Sequence, residues 1–246
     1  MTAALAIAEL RKSFGGLPAV DGITLAVAQG ERRLVIGPNG AGKTTLFNLI
    51  NGDLRADSGS VRLFGEEVGR LRPDERARRG VARTYQILTL FPRNTLVQNV
   101  VLSLLGKSPS RWQMLAPLHR RKDLEERART VLAKVGLAAV AGRVVGEVSY
   151  GEKRRLEIAM ALAQEPRLLL LDEPLAGLSA EERRAAQALL EEIPRDITIV
   201  MIEHDIDAAL AFAERITVLH YGCVIVEGTR EEVVAHPRTR EVYLGA

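Results

Sequence analysis

The spacing of apolar residues changes character twice along this chain, and those changes lay out its elements. Leu5 to Phe14 and Gly22 to Val27 alternate apolar with polar positions, as half-buried strands do, with Gly15-Gly16 as the turn between them. Leu34-Val35-Ile36 is an unbroken apolar run of buried-strand type, and Thr44 to Ile50 behind it reads as a helix. Ser60 to Leu63 is another short strand, closed by Phe64-Gly65. Pro73 to Arg79 reads as a short helix with Pro at its start and Gly80 at its end, and Val81 to Tyr85 returns to strand.

Between Gln86 and Leu162 the pattern turns helical, with no clear strand. Leu124, Ala128, Val131, Leu132 and Val135 fall on one helical face that Gly136 ends. Gly106 to Lys122 carries Pro109, Trp112 and Pro117 and reads as an irregular insert. From Arg167 strands and helices alternate again: Leu168 to Leu171 (strand), Ala180 to Ile193 (helix), Ile197 to Ile202 (strand) and Ile206 to Ala213 (helix). Ile216 to Leu219 and Val224 to Val226 follow as strands around Tyr221-Gly222. Strand–helix alternation predicts an α/β fold with a mostly parallel sheet and helices on both faces. An antiparallel β subdomain at the N-terminus and a helical subdomain over residues 87–163 are expected additions to a core of 1–86 and 164–246.

Composition narrows the class. The 246 residues are 47% hydrophobic and 26% charged, enough to bury a sizeable core. The net charge of +3, with both signs interspersed, makes no case for nucleic acid as a partner. One cysteine, Cys223, excludes an internal disulfide and fits a reducing compartment. Met1 to Glu9 lacks the basic start and long apolar region of a signal peptide, and no apolar run reaches membrane-span length. Any membrane role is expected to come through a partner.

The chemistry concentrates first in Gly37-Pro38-Asn39-Gly40-Ala41-Gly42-Lys43-Thr44-Thr45, which fits G-x-x-x-x-G-K-[ST] between a strand and a helix. Glycines let successive backbone N–H groups turn onto phosphate oxygens, Lys43 reaches the β- and γ-phosphates, and the Thr44 hydroxyl is suited to Mg²⁺. Helix N-termini favour the same anions. The second piece is Leu168 to Leu171 followed by Asp172-Glu173, a buried strand delivering two acids to the edge of the sheet where ligands bind. Asp172 is placed to hold Mg²⁺ and Glu173 to orient or deprotonate water; on alternation alone the two side chains take opposite faces.

The third piece is Ser149-Tyr150-Gly151-Glu152-Lys153-Arg154-Arg155. Ser149 is a good N-cap, and Leu156, Ala159, Met160 and Ala163 share one apolar face of the helix that follows. Three cations in a first turn oppose the helix dipole and suggest a nearby anion, with Glu147, Glu152 and Glu157 as local alternatives.

Taken in order, the Gly37–Thr45 loop (Walker A), Gln86 (Q-loop), Ser149-Tyr150-Gly151-Glu152 (signature), Leu168 to Glu173 (Walker B) and His204 (switch histidine) resemble the nucleotide-binding subunit of an ABC transporter over nearly the whole chain. The resemblance implies a P-loop NTPase core of ABC type that hydrolyses ATP with Mg²⁺. It implies Phe14 against adenine, Gln86, Glu173 and His204 in catalysis, and Thr44, Gln86 and Asp172 around the metal. Ser149, Gly151 and Glu152 would serve the ATP held by a second ATPase subunit, identical or paralogous. It further implies two transmembrane permease subunits, docked in part on the apolar residues Ile87, Leu88, Leu90 and Phe91, at the cytoplasmic face of the inner membrane. A solute-binding protein would act indirectly.

Two departures stand out: Tyr150 takes the place of the signature's first glycine, with Val148 before Ser149, and Ser179 that of the D-loop aspartate. Arg83-Thr84-Tyr85-Gln86, Leu90-Phe91, Tyr150 to Ala159, Leu175 to Leu178, Ile202 to Asp205 and Val242 to Gly245 are similar to branched-chain amino acid importers. The insert from Gly106 to Lys122 resembles the longer of their two ATPase subunits. Urea, amides or other solutes, an exporter, and a non-transport ABC ATPase remain open at this point. The last class usually brings a coiled coil, a zinc insert or a second ATPase unit, and none is visible here.

Overall fold

The structure, a computed structural model, describes residues 3–85, 89–107, 121–203 and 212–244. β1 (Ala3–Phe14) and β2 (Leu17–Ala28) form a long hairpin, joined by β4 (Ser58–Leu63) and β5 (Glu66–Glu67) in an antiparallel sheet of order β2-β1-β4-β5. A second sheet has the order β10-β9-β3-β8-β7-β6, built from β3 (Arg32–Ile36), β6 (Val81–Arg83), β7 (Leu168–Asp172), β8 (Thr198–Ile202), β9 (Arg215–His220) and β10 (Cys223–Gly228). Its strands run parallel except β10, which pairs antiparallel with β9.

Every residue of β3, β7 and β8 is buried, as the unbroken apolar runs require of strands covered on both faces. Alternation within each strand divides the core. Leu34, Ile36, Leu169 and Leu171 pack toward α3 (Leu96–Lys107), α4 (Lys122–Lys134), α5 (Tyr150–Ala163) and α6 (Ala180–Glu192). Val35, Leu168 and Leu170 pack toward α1 (Lys43–Asn51) and the antiparallel sheet. The segment between β6 and β7 is helical among the described residues, and it shares one apolar cluster with the sheet.

Some boundaries differ from the sequence reading. The two-residue β5 carried no apolar signal, and β6 stops at Arg83 rather than Tyr85. α3 extends through Gly106 to Lys107 and α4 opens at Lys122, so both ends of the expected irregular insert are helical. Residues 108–120 lie outside the described residues, as does most of the helix expected from Ile206 to Ala213. α2 (Pro73–Arg78), α7 (Arg230–Ala235) and α8 (Pro237–Leu244) complete the set. Arg76 of α2 is buried and donates to the Leu49 and Ile50 carbonyls at 2.6 and 2.7 Å, satisfying groups left open at the end of α1.

Candidate functional site

Register brings the two chemical stretches to one edge. Val35 of β3 pairs with Ile202 of β8, and Ile202 pairs with Asp172 of β7, so the loop after β3 and the acids ending β7 leave the sheet at one level, with β8 between them. The loop is held from behind by the turn between β9 and β10, where Gly222 N–H donates to the Ala41 carbonyl at 3.1 Å. Gly42 has φ +100, and a Cβ there would collide with the Ala19 carbonyl oxygen, so only glycine fits at the start of α1.

The Lys43 ammonium lies over the loop, donating to the carbonyls of Gly37 at 2.7 Å and Pro38 at 3.1 Å. Burial pulls its pKa down, and Glu173, then Asp172, oppose that. Phe14, Ala19, the loop from Asn39 to Thr45 and Glu173 line a cleft of ≈ 420 Å³, within the usual size of a small-ligand site. Phe14 is 48% exposed at the rim rather than a core aromatic. Its strand is pinned by Asp57, whose carboxylate takes the Lys12 ammonium at 2.6 Å and Ser13 N–H at 2.7 Å. The Lys12 ammonium lies 5.6 Å from the Phe14 ring centroid.

Asp172 is fully buried, and burial raises its pKa against the opposing hydrogen bond from Arg83 at 2.9 Å. Its other oxygen, Oδ1, is buried without a hydrogen-bond partner among the described residues. Glu173 lies past the strand with φ +50, its N–H bonded to the Ile202 carbonyl at 2.9 Å. Glu173 is on the wall of the Lys43 cleft, and Asp172 is not among the residues that line it.

Ser149 caps α5 as expected: its hydroxyl accepts from Glu152 N–H at 3.1 Å, and Ser149 N–H donates to Glu152 at 2.7 Å. Ser179 caps α6 in the same way with Glu182. Two of the three cations at the start of α5, Arg154 and Arg155, find partners within the chain. Arg154 pairs with Glu157 at 3.0 Å and donates to the Tyr85 carbonyl at 3.2 Å, and Arg155 reaches carbonyls past the end of α4. The anion at the helix start is Glu182, which accepts from Gly151 N–H at 3.2 Å. Ser149, Gly151 and Glu152 do not line the Lys43 cleft. Gln86 and His204 lie outside the described residues.

Sequence reasoning missed Arg83, Asp57 and Glu182. Arg83 stood in view only as part of Arg83-Thr84-Tyr85-Gln86; the other two carry no motif, because their partners are distant in the chain. Among the described residues there is no cluster of three or more His, Cys, Asp or Glu side chains to cage a metal by itself. Mg²⁺ needs no such cage, since one or two protein oxygens suffice beside phosphates and water. Asp172 Oδ1, without a hydrogen-bond partner among the described residues, and the hydroxyl of Thr44 in the cleft are oxygens of the type that donor set needs.

The phosphate-type loop, the two acids at its side and the capped α5 all precede residue 176, and the family model of the ABC transporter matches residues 20–176. The chain belongs to the ABC transporter family. The high-affinity branched-chain amino acid transport ATP-binding protein BraF of Pseudomonas aeruginosa is 37% identical over 98% of this chain and 97% of its own length. An ATP-binding cassette of an ABC transporter, solved in its ADP conformation, is 31% identical with a TM-score of 0.89, covering 100% of both chains. A dimeric cassette in a post-hydrolysis state, bound to ADP and Pi, is 27% identical with a TM-score of 0.79, over 92% of this chain and 98% of that one. This ABC chain is accordingly an ATP-binding subunit and an ATPase. No helix of its described residues is long and apolar enough to cross a membrane.

Proposed function

We propose that this ATPase energises an ABC importer of branched-chain, hydrophobic amino acids. The observation that carries the substrate class is the similarity to BraF, 37% over nearly the full length of both chains.

In this reading the loop from Gly37 to Thr45 wraps the phosphates with its N–H groups, Lys43 adds a charge at the β- and γ-positions, and Phe14 lies flat on adenine. Thr44, Asp172 and Gln86 hold Mg²⁺, which when bound offsets charge on the β- and γ-phosphate oxygens. Glu173, on the wall of the cleft beside Lys43, orients the attacking water and draws its proton. His204 is assigned to the γ-phosphate and the same water by the family resemblance. Ser149, Gly151 and Glu152, being outside the cleft, serve the ATP bound by a second copy or a paralogue. The dimeric post-hydrolysis relative supports that pairing.

The division into a core (1–86 and 164–246) and an inserted helical unit (87–163) is part of the proposal. Docking on two permease subunits at the cytoplasmic membrane face uses two neighbouring clefts that share Met160: Leu90 and Thr89 line one, Phe91 and Leu102 the other.

The test is reconstitution in vesicles with permease subunits and a solute-binding protein of the branched-chain amino acid type. ATP-dependent leucine uptake is expected with the wild-type chain. Glu173→Gln should cut turnover about 10²–10⁴-fold with ATP binding retained. ATP hydrolysis without leucine, isoleucine or valine uptake would refute the substrate class.

A further inference from the structure

Arg83 closes β6, three residues before Gln86, and only 3% of its side chain meets solvent. Its guanidinium spans acceptors from three segments: Asp172 Oδ2 at 2.9 Å, Asn48 Oδ1 of α1 at 2.7 Å and Asp53 Oδ2 at 3.1 Å. Two rings pack near it, with the Tyr85 centroid at 4.8 Å and that of Phe47 at 5.6 Å. So buried a fork, anchored on both the helix that Lys43 opens and the strand that Asp172 ends, has little freedom to turn.

The two oxygens of Asp172 are in different situations. Oδ2 is taken by Arg83, while Oδ1 is buried with no hydrogen-bond partner among the described residues. A rival of the cation would have to engage the oxygen that the cation uses. Arg83 engages the other one.

We propose that Arg83 is a positioning residue for the divalent cation. It holds Asp172 by Oδ2 so that Oδ1 faces the metal in one orientation. The inference rests on the assignment of Asp172 to Mg²⁺ made above. Residues that orient a metal-binding carboxylate typically control metal affinity by about 10–100-fold. Lysine keeps the charge but lacks the fork, so it cannot hold Asp172, Asn48 and Asp53 together.

The test uses the full chain carrying Glu173→Gln, so that ATP is bound and not consumed. ATP affinity is measured calorimetrically in EDTA and again across a Mg²⁺ titration. Adding Arg83→Lys should leave affinity in EDTA unchanged and raise the Mg²⁺ concentration for half-maximal tightening by about 10–100-fold. Asn48→Ala, which loosens one anchor without touching Asp172, should shift the midpoint the same way by less; it also serves if Arg83→Lys fails to fold. An unchanged or lowered Mg²⁺ midpoint overturns the inference, as does an equal loss of ATP binding in EDTA, which would make Arg83 a general scaffold. Asp172→Asn separates the two levels. If it keeps the Mg²⁺ response, the metal assignment itself fails; if it loses the response while Arg83→Lys keeps it, only the positioning role fails.

Discussion

The backbone N–H of Gly151, in the first turn of α5, donates to Glu182 Oε1 of α6 at 3.2 Å, and a Cβ on Gly151 would meet the Glu182 carboxyl carbon at 2.6 Å. Glycine here is a matter of space: its φ is not left-handed, and the crowding atom belongs to a helix 31 residues away. Gly151→Ala has to push the flexible end of Glu182 aside and gives up its bond to the Gly151 N–H, so the loss should stay near the worth of one hydrogen bond, about 1 kcal/mol. Urea unfolding of Gly151→Ala in the wild-type and Glu182→Ala backgrounds checks the cause. A smaller cost in the second background is expected, because the obstructing carboxylate is gone; equal costs would exclude this contact as the reason.

Asp57 ties the strand carrying Phe14 to the segment before β4. The Lys12 ammonium first, then Ser13 N–H, hold its carboxyl below the usual carboxylate range. For an acid depressed in the folded state, the stabilisation is full above the unfolded value and disappears as pH falls through the folded one. Wild type should therefore exceed Asp57→Asn in thermal stability at neutral pH, with the gap closing only below the ordinary carboxylate range. A gap that does not change with pH would show that the carboxylate charge is not what matters.

Phe91 is 52% exposed and shares a groove with Leu102, Met160 and Ala77. If a permease helix covers it, Phe91→Glu forfeits burial worth about 1.5–3 kcal/mol. Docking should then weaken by about tenfold or more. Basal ATPase activity of the isolated chain should stay intact while vesicle uptake falls, and unchanged uptake would remove this groove from the coupling surface. Charge at Leu90, on the adjoining wall, should act in the same direction.

Much of the architecture was legible because it follows from local periodicity. Leu34-Val35-Ile36 and Leu168 to Leu171 read as buried strands since a strand covered on both faces has nowhere to place a polar residue. Ser149 read as a helix start since a cap and the N–H it accepts are neighbours in the chain. β5 was not legible, because its Glu66-Glu67 pair is held by hydrogen bonds to β4 rather than by burial.

The sequence by itself determined the α/β class, the phosphate loop with Lys43 and Thr44, the acids Asp172 and Glu173 at a strand end, and the Ser149 cap of α5. All of these depend on residues within one or two turns of each other. Only the tertiary structure decided that Arg83 grips Asp172 across 89 positions, that Asp57 pins Ser13 across 44, and that Glu182 crowds Gly151. The left-handed backbone at Glu173 also belongs there, since no pattern of apolar and polar positions signals it. Such pairings obey distance in space, and periodicity along a chain reports only which face is buried, not what lies across from it.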